Sequence, residues 1–112
     1  MTQDEQIQTI PPETLATWLD EGNVYLVDVR EEHEFEAARI AGAICLPLSK
    51  FDPKRIPDKT ETQLVLHCQS GVRCGTAAKL LKASGFKNTI FRLEGGILAW
   101  GAHGEQIQIG DD

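Results

Sequence analysis

The chain has 112 residues, 41% of them hydrophobic and 25% charged, a balance that excludes a disordered polypeptide and suits one domain with its own core. Seventeen acidic against eleven basic side chains give a formal charge of -6, which argues against a phosphate-backbone binder and so against nucleic acid as a partner. The longest weakly polar run, residues 40–48, is far too short to span a bilayer, and residues 1–10 hold Asp4 and Glu5 but no Lys or Arg, unlike a signal peptide. The expectation is a cytoplasmic protein with no membrane partner.

Residues 1–9 read as an extension, 10–103 as the domain and 104–112 as a polar tail. Pro11-Pro12-Glu13, followed by Leu15, Trp18 and Leu19, predicts a short amphipathic helix, capped by Thr9 or a neighbour and stopped at Glu21-Gly22-Asn23. Val24-Tyr25-Leu26-Val27-Asp28-Val29 is a near-continuous apolar run of the kind buried on both faces of a parallel sheet. Asp28 interrupts it, and a carboxylate there needs either a partner or a solvated strand end.

Residues 31–38 read as a helix with Glu31, Glu32, Glu34 and Glu36 on a solvated face. Residues 40–46 suggest a loop entering a short strand that Pro47 terminates, with Cys45 as a core residue. A short helix is expected within residues 48–55. Gln63-Leu64-Val65-Leu66-His67 is the next buried strand, residues 76–84 the next helix, ended by Gly85, and residues 89–93 a further strand. A Gly95-Gly96 turn then leads into a helical segment with Ile97 and Trp100 three apart; Trp100 and Trp18 read as core or rim residues. Strands alternating with helices predict an α/β fold of three layers, a mostly parallel central sheet flanked by helices.

The segment His67-Cys68-Gln69-Ser70-Gly71-Val72-Arg73-Cys74 lies between a predicted strand and a predicted helix. In open parallel sheets, ligands bind where strands end and helices begin. A turn there can wrap successive N–H groups around the sulfur, with Gly71 supplying the unusual dihedrals, and aim a helix N-terminus at it. Cys68 should therefore titrate below the free-thiol value of about 8.5 and be thiolate at neutral pH. His67 alternates away from Cys68 on the strand and reads as structural. Cys45, Cys68 and Cys74 show no zinc-like spacing and the three histidines are scattered, so no metal is expected.

Cys68-x-x-Gly71-x-Arg73 resembles the active-site loop of single-domain rhodaneses, sulfurtransferases that carry a cysteine persulfide. Leu26-Val27-Asp28-Val29-Arg30-Glu31, with Glu34-Phe35 and Ile40-x-Gly42-Ala43, resembles the family's first signature. Leu93-Glu94-Gly95-Gly96-Ile97-x-Ala99-Trp100 resembles its last. The match runs in order over residues 10–100, with one departure: Ala38-Arg39 stands before Ile40 where the family often has Gly-His. The resemblance implies a rhodanese-like fold and a catalytic Cys68. It implies substrate contacts from Gln69, Ser70, Gly71, Val72, Arg73 and Cys74, with Asp28 and Arg30 in support. No cofactor is implied. The activity would move sulfane sulfur from thiosulfate or a persulfide donor to cyanide or a thiol, and a sulfur-accepting protein is a further candidate partner.

A similar His-Cys…Gly…Arg pattern occurs in cysteine-dependent phosphatases and arsenate reductases, but with one residue more between Cys and Arg than the four found here. The shorter ring suits a sulfur atom better than a tetrahedral oxyanion, and the loop holds no acid to protonate a leaving alkoxide. A third alternative is a rhodanese-like docking or regulatory module, as in relatives that have lost the cysteine, which this chain keeps; with the cysteine present, the domain could instead relay sulfur to another protein. Arg73 has two readings, binding a donor anion or bracing the loop through a carboxylate such as Asp28. Only Arg73 obviously attracts a doubly negative donor, which makes a low-molecular-weight or protein persulfide a candidate donor. Cys74 reads first as a small residue in the helix's first turn and second as a resolving thiol for Cys68.

Overall fold

Leu64 and Leu66 point to one side of a central sheet and Val65 to the other, and all three are buried. Such a strand has no wet face, which is why its sequence shows a solid apolar run rather than alternation. The computed structural model describes residues 6–58 and 62–110. In chain order its elements are β1 (Ile7–Ile10), α1 (Pro12–Asp20), β2 (Val24–Asp28), α2 (Glu32–Ala37), β3 (Ala38–Arg39), β4 (Ile44–Cys45), β5 (Gln63–His67), α3 (Val72–Ala83), β6 (Ile90–Leu93), α4 (Gly96–Ala102) and β7 (Gln108–Ile109).

Five strands form one sheet in the order β1-β6-β5-β2-β4, with every pairing parallel. One face packs Val27, Val29, Leu64, Leu66 and Ile90 against Cys74, Ala77, Ala78 and Leu81 of α3. The other packs Leu26, Val65 and Leu93 against Leu15 of α1 and Ile97 and Trp100 of α4. Small residues on α3, Ala77 and Ala78, bring that helix close to the sheet, so the loop entering it is held at short range from the strand it leaves.

The structure departs from the sequence expectations in several places. Pro11 occupies the N-cap of α1 and makes no side-chain cap, with Pro12 fixing the first turn. Instead of a helix over residues 48–55 there are two 3-10 turns, Leu48–Lys50 and Pro53–Arg55. Pro53 supplies no N–H and holds the preceding Asp52 extended, which divides the segment. Helix α3 begins at Val72 because Gly71, at φ 106°, turns the chain directly into it. Cys45 sits half-buried on edge strand β4.

Both stretches read as terminal appendages contribute strands. Residues 7–10 form edge strand β1, and Gln108–Ile109 pairs antiparallel with Ala38–Arg39. Strands this short carry no periodic signal. The outer parts of those stretches, residues 1–5 and 111–112, lie outside the described residues. No helix among the described residues is long and apolar enough to cross a membrane.

Asp28 has the partner its burial requires. Arg30 donates from Nη2 to Oδ2 at 2.7 Å and from Nε to Oδ1 at 3.0 Å, and its backbone N–H reaches Oδ1 at 2.9 Å. Arg30 Nη2 also donates to Ala38 O at 2.6 Å, tying the end of β2 to the end of α2. Asp28→Ala would leave the buried guanidinium without its carboxylate, with an expected cost of about 3–5 kcal/mol. Urea unfolding should show a lower midpoint at unchanged slope; a loss below about 1 kcal/mol would mean that water compensates Arg30.

Candidate active site

Cys68 follows the last residue of β5, and the chain then curls back over it. Gly71 N–H donates to Cys68 Sγ at 3.1 Å and Cys74 N–H at 3.4 Å. The residue is 1% exposed, so these donors rather than bulk water solvate its sulfur. Burial alone would raise a thiol's pKa, but donors aimed at the sulfur favour the charged form and prevail. The Cys68 pKa is lowered to about 5, first by the Cys74 side chain and then by the backbone N–H groups of Cys74, Gly71 and Ser70.

Cys74 moves the opposite way. Its thiol is pushed well above the ordinary range by its contact with Cys68 and by burial. It therefore keeps its single S–H, which has two alternative acceptors, the Cys68 sulfur and Gly71 O at 3.3 Å. All three cysteines are free thiols. While Cys68 is a thiolate, Cys74 is held as its protonated neighbour.

Two further elements hold the loop. The amides at the start of α4 donate to its carbonyls, Ile97 N–H to Cys68 O at 2.8 Å and Leu98 N–H to Gln69 O at 3.1 Å. A Cβ on Gly96 would lie 2.3 Å from Cys68 O, so the contact requires glycine. From β6, Arg92 Nη2 donates to Gly71 O at 2.6 Å. Gly75 clears room for this guanidinium, since a Cβ there would lie 2.9 Å from Arg92 Nη2. Arg92 was missed by the sequence reading, as an arginine on a short strand carries no local signal; the Gly95-Gly96 pair was the visible trace of the α4 contact.

Arg73 braces the loop, but not through Asp28. It grips Glu34 bidentately, Nη1 to Oε2 at 2.7 Å and Nη2 to Oε1 at 2.9 Å. The guanidinium holds the Glu34 carboxyl down at about 2. Glu34 also closes a capping box on α2 by accepting from Glu31 N–H at 2.9 Å. It is thus a half-buried structural link, unlike the solvated face expected of the acidic cluster.

Asp28 and Arg30 reach the loop indirectly. Asp28 stands beside His67 in the β2–β5 register, with Oδ2 3.6 Å from His67 Nε2. His67 Nδ1 lies 3.4 Å from Cys68 O. Burial lowers the His67 pKa, so the ring is neutral and packs as a structural group. Gln69, Ser70 and Val72 are exposed on the loop. Among the described residues no group of three or more His, Cys, Asp or Glu side chains is placed to hold a metal ion.

A family model for the rhodanese-like domain matches residues 11–103. The uncharacterized protein slr1261 of Synechocystis is 44% identical over 92 residues, covering 82% of this chain and 51% of that protein. The probable adenylyltransferase/sulfurtransferase MoeZ of Mycobacterium tuberculosis is 38% identical over 98 residues, covering 82% of this chain and 24% of that protein. The chain therefore spans between about a quarter and a half of the length of these curated relatives. Among solved structures, a rhodanese-related protein from Thermoplasma volcanium superposes with a TM-score of 0.76 at 25% identity, covering 90% of this chain and 97% of that one.

Alkylation of Cys68 by iodoacetamide should rise with pH through a midpoint near 5 and be level by neutral pH, because a lowered pKa keeps the thiolate down to that value. Cys74→Ala should move the midpoint upward and Cys74→Ser should restore it. A midpoint unmoved by Cys74→Ala would show that the backbone amides alone hold the thiolate.

Proposed function

The chain belongs to the rhodanese-like domain family, and on that footing we propose that it is a sulfurtransferase in which Cys68 carries sulfane sulfur as a persulfide. The cradle around Cys68 supports this: a thiolate with its pKa near 5, ringed by N–H donors at 3.1 and 3.4 Å. In the proposed cycle the thiolate attacks the outer sulfur of a donor, and the donor's remaining group leaves with the bonding electron pair. With thiosulfate that group is sulfite, a stable anion that needs no protonation. The Gly71 and Cys74 amides then hold the persulfide anion until an acceptor thiolate or cyanide attacks its outer sulfur and releases Cys68. This is double displacement by covalent catalysis, with preorganised dipoles meeting the charge.

The setting of Arg73 bears on the alternatives. An arginine that holds a phosphate does so with its guanidinium fork on two phosphate oxygens, whereas here both terminal nitrogens already hold Glu34. That arrangement supports sulfur transfer over phosphate-ester chemistry. It also gives a doubly charged donor less attraction, which favours an organic or protein persulfide as the physiological donor. The acceptor is proposed to be a low-molecular-weight thiol or a sulfur-accepting protein in a cytoplasmic, reducing setting. Retention of Cys68 disfavours a pure docking role.

Intact-mass measurement after thiosulfate treatment should show the gain of one sulfur atom on the wild type and its loss on adding cyanide. Cys68→Ser should show no gain and no thiocyanate formation. Sulfur transfer retained by Cys68→Ser would sink the proposal.

A further inference from the structure

A recess of about 350 Å³ opens beside the Cys68 loop, within the size range of pockets for small organic ligands. Gln69, next in the chain to the nucleophile, lines it together with Ala37, Ala38, Ile97, Leu98 and Ile107. The wall is therefore largely aliphatic. Its placement relative to Cys68 is rigid, because the amides of Ile97 and Leu98 are the two that bind the Cys68 and Gln69 carbonyls.

Two charged residues also line the recess, and neither offers a free charge. Arg30 is bidentate on Asp28 and donates to Ala38 O. Glu34 is bidentate on Arg73. An ionic ligand group entering here would lose water and find only neutralised pairs. An apolar group would instead cover Leu98, a large side chain left 57% exposed at this site.

We propose that this recess holds the carbon body of an organic sulfane-sulfur donor, so that the enzyme prefers donors of the form R–S–SH or R–SO2–S⁻ with a sizeable apolar R group. This rests on the sulfurtransferase function proposed above and names its substrate class. For a thiosulfonate, the Cys68 thiolate attacks the outer sulfur and the S–S bond to the sulfonyl sulfur breaks. The sulfinate R–SO2⁻ leaves with the electron pair, and Cys68–S–S⁻ remains. Two single negative charges enter the step and two leave, with no oxidant, reductant or proton required. The single charge of such a donor suits a loop whose arginine is already paired.

Benzenethiosulfonate and methanethiosulfonate test this, since they share the reacting group and differ in the apolar body. The rate of sulfur loading on Cys68, followed by intact mass at limiting donor, should favour benzenethiosulfonate by about tenfold or more, the scale set by apolar-pocket discrimination. The preference should shrink in Leu98→Ala and shrink further in Leu98→Asp. Equal loading of the two donors by the wild type, or a preference that survives both substitutions, would overturn the pocket while leaving sulfur transfer in place. Absence of loading by either donor and by thiosulfate would remove the sulfurtransferase function and the pocket with it.

Discussion

A sulfur anion can stand in a nearly dry site only if the protein replaces the water it has lost, and the organisation of this domain centres on that replacement. Two backbone amides point at Cys68 Sγ from a loop that starts at a strand end and finishes in a helix. The loop is itself held by groups from outside it: the α4 amides on the Cys68 and Gln69 carbonyls, and Arg92 on the Gly71 carbonyl. Those bonds fix the direction of the peptide units whose N–H groups meet the sulfur. The dipoles are thus oriented by the fold and need no rearrangement to meet a negative charge on the sulfur.

Two arginines near the loop are held in closed pairs. Arg30 with Asp28 and Arg73 with Glu34 satisfy each other across α2, β2 and the start of α3. The second pair joins the first signature of the chain to the cysteine loop, which lies some forty residues later. The two thiols nearest each other divide the labour in a similar way. Cys74 retains its proton and Cys68 gives its proton up, because the donor that stabilises one thiolate opposes formation of the other.

Much of this was legible in the chain. The apolar runs at residues 24–29 and 63–67 announced strands with two covered faces, and Gly71 announced a tight turn after Cys68, although the helix start was read four residues too late. Elements with little periodicity were not legible. The two-residue strands β3 and β7 exist only because residues 38–39 and 108–109 meet in space, and the segment at 48–55 followed its prolines rather than its helical composition. Among site residues, Cys68 and its loop were readable from local sequence. Arg92 was not, nor was Glu34 as the partner of Arg73, since such pairings depend on which faces of distant elements come together.

Sequence alone determined the α/β alternation, the position of Cys68 at a strand-to-helix turn and the resemblance that places the chain among the rhodaneses. These are encoded locally, in hydrophobic period, glycine placement and the spacing from Cys68 to Arg73. Tertiary structure alone decided that Arg73 holds Glu34, that Cys74 is a proton-keeping donor and that an aliphatic recess with neutralised charges adjoins the loop. Each of those depends on distances between residues far apart in the chain, or on burial, and both are products of packing rather than of local sequence.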